Sequence, residues 1–188
     1  ILALLYSSQG KLELATTEYE LALKGASRLN PNNTDIYKSL GAIYMQQKKF
    51  KDAESTFKMV VGILPNDAEA HFFLGSIYSE LKEEVLAEKE LLRALELRPD
   101  YHQCLNFLGY TYVEKNINFP QAEEMIRKAL AIEPNNGAYI DSLGWLYFKQ
   151  DKIQEALKEL QRASSLIEDP VVYDHLAQVY MKLNDPEK

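Results

Sequence analysis

The sequence is poor in cysteine, in positive charge and in long apolar runs, and each shortage excludes something. Cys104 is its single cysteine. An intramolecular disulfide and a cysteine-rich zinc site are therefore excluded. One thiol fits a reducing compartment and is also compatible with an oxidising one. Lysine and arginine number 21 against 28 acidic residues, a formal net charge of −7. Sequence-independent nucleic-acid binding needs a basic face, so no nucleic-acid partner is expected. The longest apolar runs, such as "MVVGIL" at 59–64, are far too short to cross a bilayer, and no direct membrane insertion by this segment is expected. No signal or targeting sequence is visible. The chain opens on Ile1 and is expected to be a piece of something longer.

Catalytic signatures are missing as well. The sequence contains no phosphate-cradling glycine loop, no G-x-S-x-G and no H-E-x-x-H. His71, His102 and His175 are far apart and have no second ligand at metal spacing, so they read as packing or surface histidines. The carboxylates are spread as solvated helix faces. No catalysis by these residues, no metal and no cofactor is expected.

What is present is a repeat. "LALLY" at 2–6, "LGAIY" at 40–44, "LGSIY" at 74–78, "LGYTY" at 108–112, "LGWLY" at 143–147 and "LAQVY" at 176–180 share one frame. Gly41 to Gly75 and Gly75 to Gly109 are 34 residues each, Gly109 to Gly144 is 35 and Gly144 to Ala177 is 33. The first interval, Ala3 to Gly41, is 38, one helical turn longer. A second frame is small, large at i+4, small at i+7, which is one face of an α-helix. It runs through Ala15, Tyr19 and Ala22, then Ala53, Phe57 and Val60, then Ala87, Leu91 and Ala94. Ala122, Ile126 and Ala129, and finally Ala156, Leu160 and Ala163, complete it. Pro65, Pro99 and Pro134 fall where each such helix should stop. "NPNNT", "PND", "RPD" and "EPNNG" offer turn and N-cap chemistry for the next one.

These marks resemble the tetratricopeptide repeat over essentially the whole chain. The resemblance implies an all-α solenoid of antiparallel helix pairs in a right-handed superhelix, about five repeats, truncated at both ends. The units are expected at about 1–33, 34–67, 68–101, 102–136, 137–169 and a partial 170–188. Glycine costs about 1 kcal/mol relative to alanine inside a helix, so Gly41, Gly75, Gly109 and Gly144 point to a close approach of the paired helix. The alanines at 53, 87, 122 and 156 are the expected partners of that approach. Burial is expected for Leu40, Tyr44, Ala53, Phe57 and Leu74, and for Tyr78, Leu108, Tyr112, Leu143 and Tyr147. "NINFPQ" at 116–121 carries a one-residue insertion, which is expected to disturb only its turn, with Pro120 in the first turn of the next helix.

The resemblance also implies that the first helices line a concave groove where ligands bind. The residue just after each glycine leaves the core stripe and heads a second stripe facing that groove. Trp145 stands there, with Ala42, Ser76, Tyr110 and Gln178 as its equivalents, and is expected to be a partly accessible anchor. Lys38, Met45 and Phe72 extend the stripe in the early units, and Asn106 and Val113 in the middle. Asp141, Phe148 and Asp174 continue it, with Glu114 and Lys149 at the rim. Apolar anchors ringed by polar groups suit a peptide groove, so a protein or peptide ligand is expected. A carboxylate clamp of lysine, asparagine and arginine is known in the family. Here Ala42, Phe73, Gln103 and Phe107 stand where further clamp groups are needed, which rejects the chaperone-adaptor version. Two other readings are a recognition arm of a larger enzyme such as a glycosyltransferase, and a scaffold self-assembling through open ends. For the latter, the stripe Leu176, Val179, Tyr180 and Leu183 is expected to be exposed. Residues 105–157 resemble, more finely, repeat segments of bacterial envelope-associated proteins, including predicted lipoproteins. That implies a periplasmic or envelope location, with the cytoplasm as the alternative.

Overall fold

The computed structural model describes residues 2–29 and 33–183, with the side chains of all but 22–29. Ile1, the side chain of Ala22 of the second frame, residues 30–32 of the first turn and residues 184–188 lie outside what is described. Helices form wherever one of the two frames occurs, and among the described residues there is no strand. The chain divides into two compact units, Ile1–Pro99 and Asp100–Lys188. The first holds α1 (Leu2–Ser8), α2 (Leu12–Leu29), α3 (Thr34–Gln46), α4 (Phe50–Ile63), α5 (Ala68–Glu80) and α6 (Glu84–Leu97). The second holds α7 (His102–Glu114), α8 (Phe119–Ile132), α9 (Gly137–Lys149), α10 (Ile153–Leu166) and α11 (Pro170–Lys182). Short turns return the chain between α1 and α2, α3 and α4, and so on, so the members of each pair run antiparallel. The long first interval is explained by α2, which has 18 residues where α4 and α6 have 14.

The first helices start on side-chain caps. Asn33, Asp67, Asn136 and Asp169 accept backbone N–H bonds at the starts of α3, α5, α9 and α11. Helix α7 departs from the expectation that "RPD" supplies its cap. Its N-cap is Tyr101, which makes no side-chain cap bond, and Asp100 is exposed one residue too early. The ring of Tyr101 is buried instead.

Each return turn within a pair needs a left-handed residue, and Gly10, Lys48, Lys82, Asn116 and Asp151 all have positive φ. Only Gly10 is suited to it without steric cost. The turn with the insertion carries a second such residue, Asn118 at φ 49°, so the extra residue is absorbed there. Helices α7 and α9 both keep 13 residues, and Pro120 sits in the first turn of α8, as the sequence implied.

The glycines do mark a close approach, first to the large residue of the second frame and, at Gly75 and Gly109, to an alanine backbone as well. A Cβ on Gly41 would lie 2.6 Å from the Phe57 ring, on Gly75 2.6 Å from Leu91, and on Gly144 2.7 Å from Leu160. On Gly109 it would lie 2.9 Å from Ile126. The large member of the second frame fills the space that glycine leaves. Ala87 and Ala122 contribute backbone carbonyls at 3.1 and 3.2 Å. Phe57, Leu91, Ile126 and Leu160 are all fully buried, as a knob filling such a hole should be.

Three expectations about burial are corrected. Tyr44 and Tyr147 are half-buried, because their hydroxyls reach polar partners, Glu20 and Arg127, at the edge. The stripe on α11 is not exposed. Val179 is buried against Ala156 and Leu160, with Leu176 and Leu183 packed on the same cluster and Tyr180 half-buried. The surface on which self-association was expected is therefore covered by α10, and the exposed apolar residues of α11 are Val171, Tyr173 and Met181.

Candidate functional site

In the second unit, α9 packs against both α7 and α11, so three first helices stand side by side. Between their N-terminal halves lies an open groove of about 280 Å³. Phe107 and Tyr110 of α7, Ile167 from the loop before α11, and Val171 and Val172 of α11 give it apolar walls. Asn106, Asp141, Ser142 and Asp169 supply its polar groups. Among the described residues no lysine, arginine or histidine lines it. Three residues predicted for the site, Asn106, Tyr110 and Asp141, thus come together here.

Three of these polar groups, Asp141, Ser142 and Asp169, are held by hydrogen bonds within the protein. Ser142 donates to the Ala138 carbonyl at 3.0 Å, and Asp169 caps α11 by accepting from the Val171 N–H at 2.8 Å. Asp141 is 5% exposed and accepts from Nδ1 of His175 through both oxygens, at 3.0 and 3.1 Å. It is therefore buried and hydrogen-bonded within the protein rather than an open contact on a stripe. Asn106 Oδ1 is buried with no hydrogen-bond partner, a condition shared with Gln47 and Gln150 among the described residues. Burial pushes the pKa of the Tyr110 phenol above the ordinary tyrosine range, and the charges of Glu114 and Asp141 push it further.

Trp145 is the main correction. It is on the predicted helix face but only 5% exposed. Its ring stacks on His175, with centroids 3.9 Å apart, and on Phe148 at 4.8 Å. The indole N–H donates to Glu114, and the Lys149 ammonium lies 4.8 Å from the ring centroid. Neighbouring first helices enclose it, so it is packing between repeats and not a surface anchor. Val113 is likewise fully buried. Glu114, Phe148 and Lys149 all contact the Trp145 ring.

The other predicted residues are occupied in other ways. Asp174 accepts from Gln178 at 2.8 Å on the exposed side of α11. In the first unit Lys38 is held by Asp67 at 2.6 Å and Glu69 at 2.9 Å. Burial pulls the pKa of Asp67 up, but hydrogen bonds from Lys38 and the Ala70 N–H outweigh it and leave it below the usual aspartate range. Met45 packs half-buried against the core of that unit, and Phe72 meets Phe73 ring to ring at 5.5 Å.

Sequence reasoning missed the histidine pairs. His71 is buried, with Nδ1 at 2.5 Å from Glu90 and Nε2 at 3.0 Å from the Pro65 carbonyl. His102 meets the Tyr139 hydroxyl at 2.8 Å. A signal was present, since bonded residues on successive first helices lie about one repeat apart. Trp145 and Glu114 are separated by 31 residues and His175 and Asp141 by 34.

Family models described as "Tetratricopeptide repeat" match residues 6–77 and 68–101. The chain belongs to the tetratricopeptide repeat family. Among solved structures, this tetratricopeptide chain is similar to MamA at 27% identity and a TM-score of 0.71, covering 88% of this chain and 94% of that one. A tetratricopeptide repeat protein from Parabacteroides merdae superposes with a TM-score of 0.78 at 20% identity, covering 97% and 71%. YrrB, described as a TPR protein with an unusual peptide-binding site, matches at 22% identity and a TM-score of 0.66, covering 94% and 88%. A TPR repeat-containing protein of Pseudomonas aeruginosa is 31% identical over 65 residues, which are 35% of this chain and 11% of that protein. The tetratricopeptide solenoid is thus the fold class of this chain, and the family's fold supports a protein-interaction scaffold in general terms.

Proposed function

We propose that this tetratricopeptide chain is a non-catalytic scaffold that binds a peptide or protein segment in the groove between α7, α9 and α11 of its second unit. The groove carries the reading: it is open, its walls are apolar and aromatic, and Ser142, Asp141 and Asp169 are held by hydrogen bonds within the protein. Such a site is preorganised, which lowers the entropic cost of binding. YrrB, a neighbour in fold, is described as having an unusual peptide-binding site, which supports the reading.

A random dodecamer display library panned against the chain tests the proposal. Enriched peptides should lose about tenfold or more in affinity for Tyr110→Ala, because a half-buried aromatic wall has the scale of an interface hot spot. Thermal melts of the variant check that the helices persist. Enriched peptides that bind the variant unchanged would place recognition elsewhere.

A further inference from the structure

The groove is one-sided in charge and in hydrogen bonding. Asp141 and Asp169 stand in it, and neither has a lysine or arginine beside it in the lining. His175 meets Asp141 through Nδ1, so both oxygens of that carboxylate already have a partner. The pKa of the Tyr110 phenol is raised mainly by burial, and the neighbouring Glu114 and Asp141 carboxylates act in the same direction. Asn106 adds an amide oxygen that finds no donor within the protein. A rotation of that amide about its terminal torsion would present the oxygen to an incoming N–H. The walls are hydrocarbon and aromatic, of the kind that covers a long methylene stem. An apolar side chain would satisfy the walls and leave the amide and the carboxylates unanswered. An acidic one would meet two aspartates.

We infer that the groove between α7, α9 and α11 receives a lysine or arginine side chain of the bound segment. Its stem lies between Tyr110 and the Val171–Val172 wall, and its head is shared by the Asn106 amide oxygen and the Asp169 carboxylate. This rests on the peptide-binding reading above and names what that groove selects. The cationic head pairs with acceptors in a setting partly removed from water, where charge-assisted hydrogen bonds are stronger than neutral ones.

The enriched dodecamers provide the probe, each compared with a copy in which its lysine or arginine is norleucine. The protein variant is Asp169→Asn, which deletes the charge and keeps a side chain that caps a helix equally well. Sequences rich in lysine or arginine beside an apolar residue should emerge, and norleucine should weaken them about tenfold. Asp169→Asn should weaken the basic peptides several-fold, leave the norleucine copies unchanged and reduce the salt dependence of binding. Peptides that depend on Tyr110 yet show no basic preference would overturn the cation inference while leaving the groove in place. Peptides indifferent to both Tyr110 and Asp169 would overturn both.

Discussion

Truncating Trp145 to alanine should unfold much of what the second unit's stability rests on. The ring is 5% exposed and lies between His175 and Phe148 at 3.9 and 4.8 Å, with Lys149 over it and Glu114 at its N–H. A tryptophan buries about 150–250 Å², worth about 4–6 kcal/mol at roughly 25 cal/mol per Å² as an upper bound. Large-to-small changes of this kind cost about 3–5 kcal/mol, and about 4 is expected here. That is a large share of the roughly 5–15 kcal/mol that holds a domain folded. Trp145→Phe keeps a ring in the stack and gives up the bond to Glu114, so about 1 kcal/mol is expected. Urea denaturation followed by circular dichroism measures both. Trp145 is the only tryptophan, so the emission of the folded chain is its own and should be blue-shifted and protected from acrylamide. A loss below about 1 kcal/mol for Trp145→Ala, or a red-shifted and freely quenched emission, would refute the packing argument.

Gly109→Leu should be severely destabilising, since even a Cβ would lie 2.9 Å from Ile126 and 3.2 Å from the Ala122 carbonyl; an unchanged melting temperature would contradict the helix-pair register. Lys48→Gly and Lys82→Gly should each stabilise the chain by about 0.5–1 kcal/mol, because lysine at φ 57° and 62° carries a left-handed cost that glycine does not, and a lowered melting temperature would count against it. Asp67 has a folded pKa below its ordinary value, so its contribution is complete above that value and is lost as pH falls through the folded one. Stability should therefore drop in that acid window, and Asp67→Asn, which can still cap α5, should flatten the drop in a pH series of melts.

The helix pairs were legible because one chemical event recurs at a fixed period. A glycine that must accept a large side chain leaves a mark at 41, 75, 109 and 144, and the insertion shows as a change in that count. What a single repeat cannot display is contact between repeats. Trp145 was read as exposed because its equivalents range from Ser76 to Gln178, and variability looked like solvent. The neighbours decide instead: Glu114 stands 31 residues before it and His175 stacks on it from the next first helix. Val113 and Asp141 were misplaced for the same reason. Tyr44 and Tyr147 show the reverse error, since a phenol can anchor by its ring while its hydroxyl stays at the edge. That Asn106, Tyr110 and Asp141 share one side of the first helices followed from the family resemblance and helical spacing, whereas the Asp169 and Val172 side of the groove needed the fold.

The lone thiol of Cys104 gives the second unit a built-in clock. It lies fully enclosed in α7, on the helix that forms one wall of the groove. A thiol reagent can reach it only when that helix parts from its neighbours, so the rate of modification counts such openings one molecule at a time. In a repeat protein each helix pair touches only its neighbours, and partial openings are permitted without global unfolding. A modification rate faster than the unfolding rate in water would show that α7 opens by itself. A ligand lodged against Tyr110 and Asn106 should then slow the clock by the factor with which it holds that helix shut.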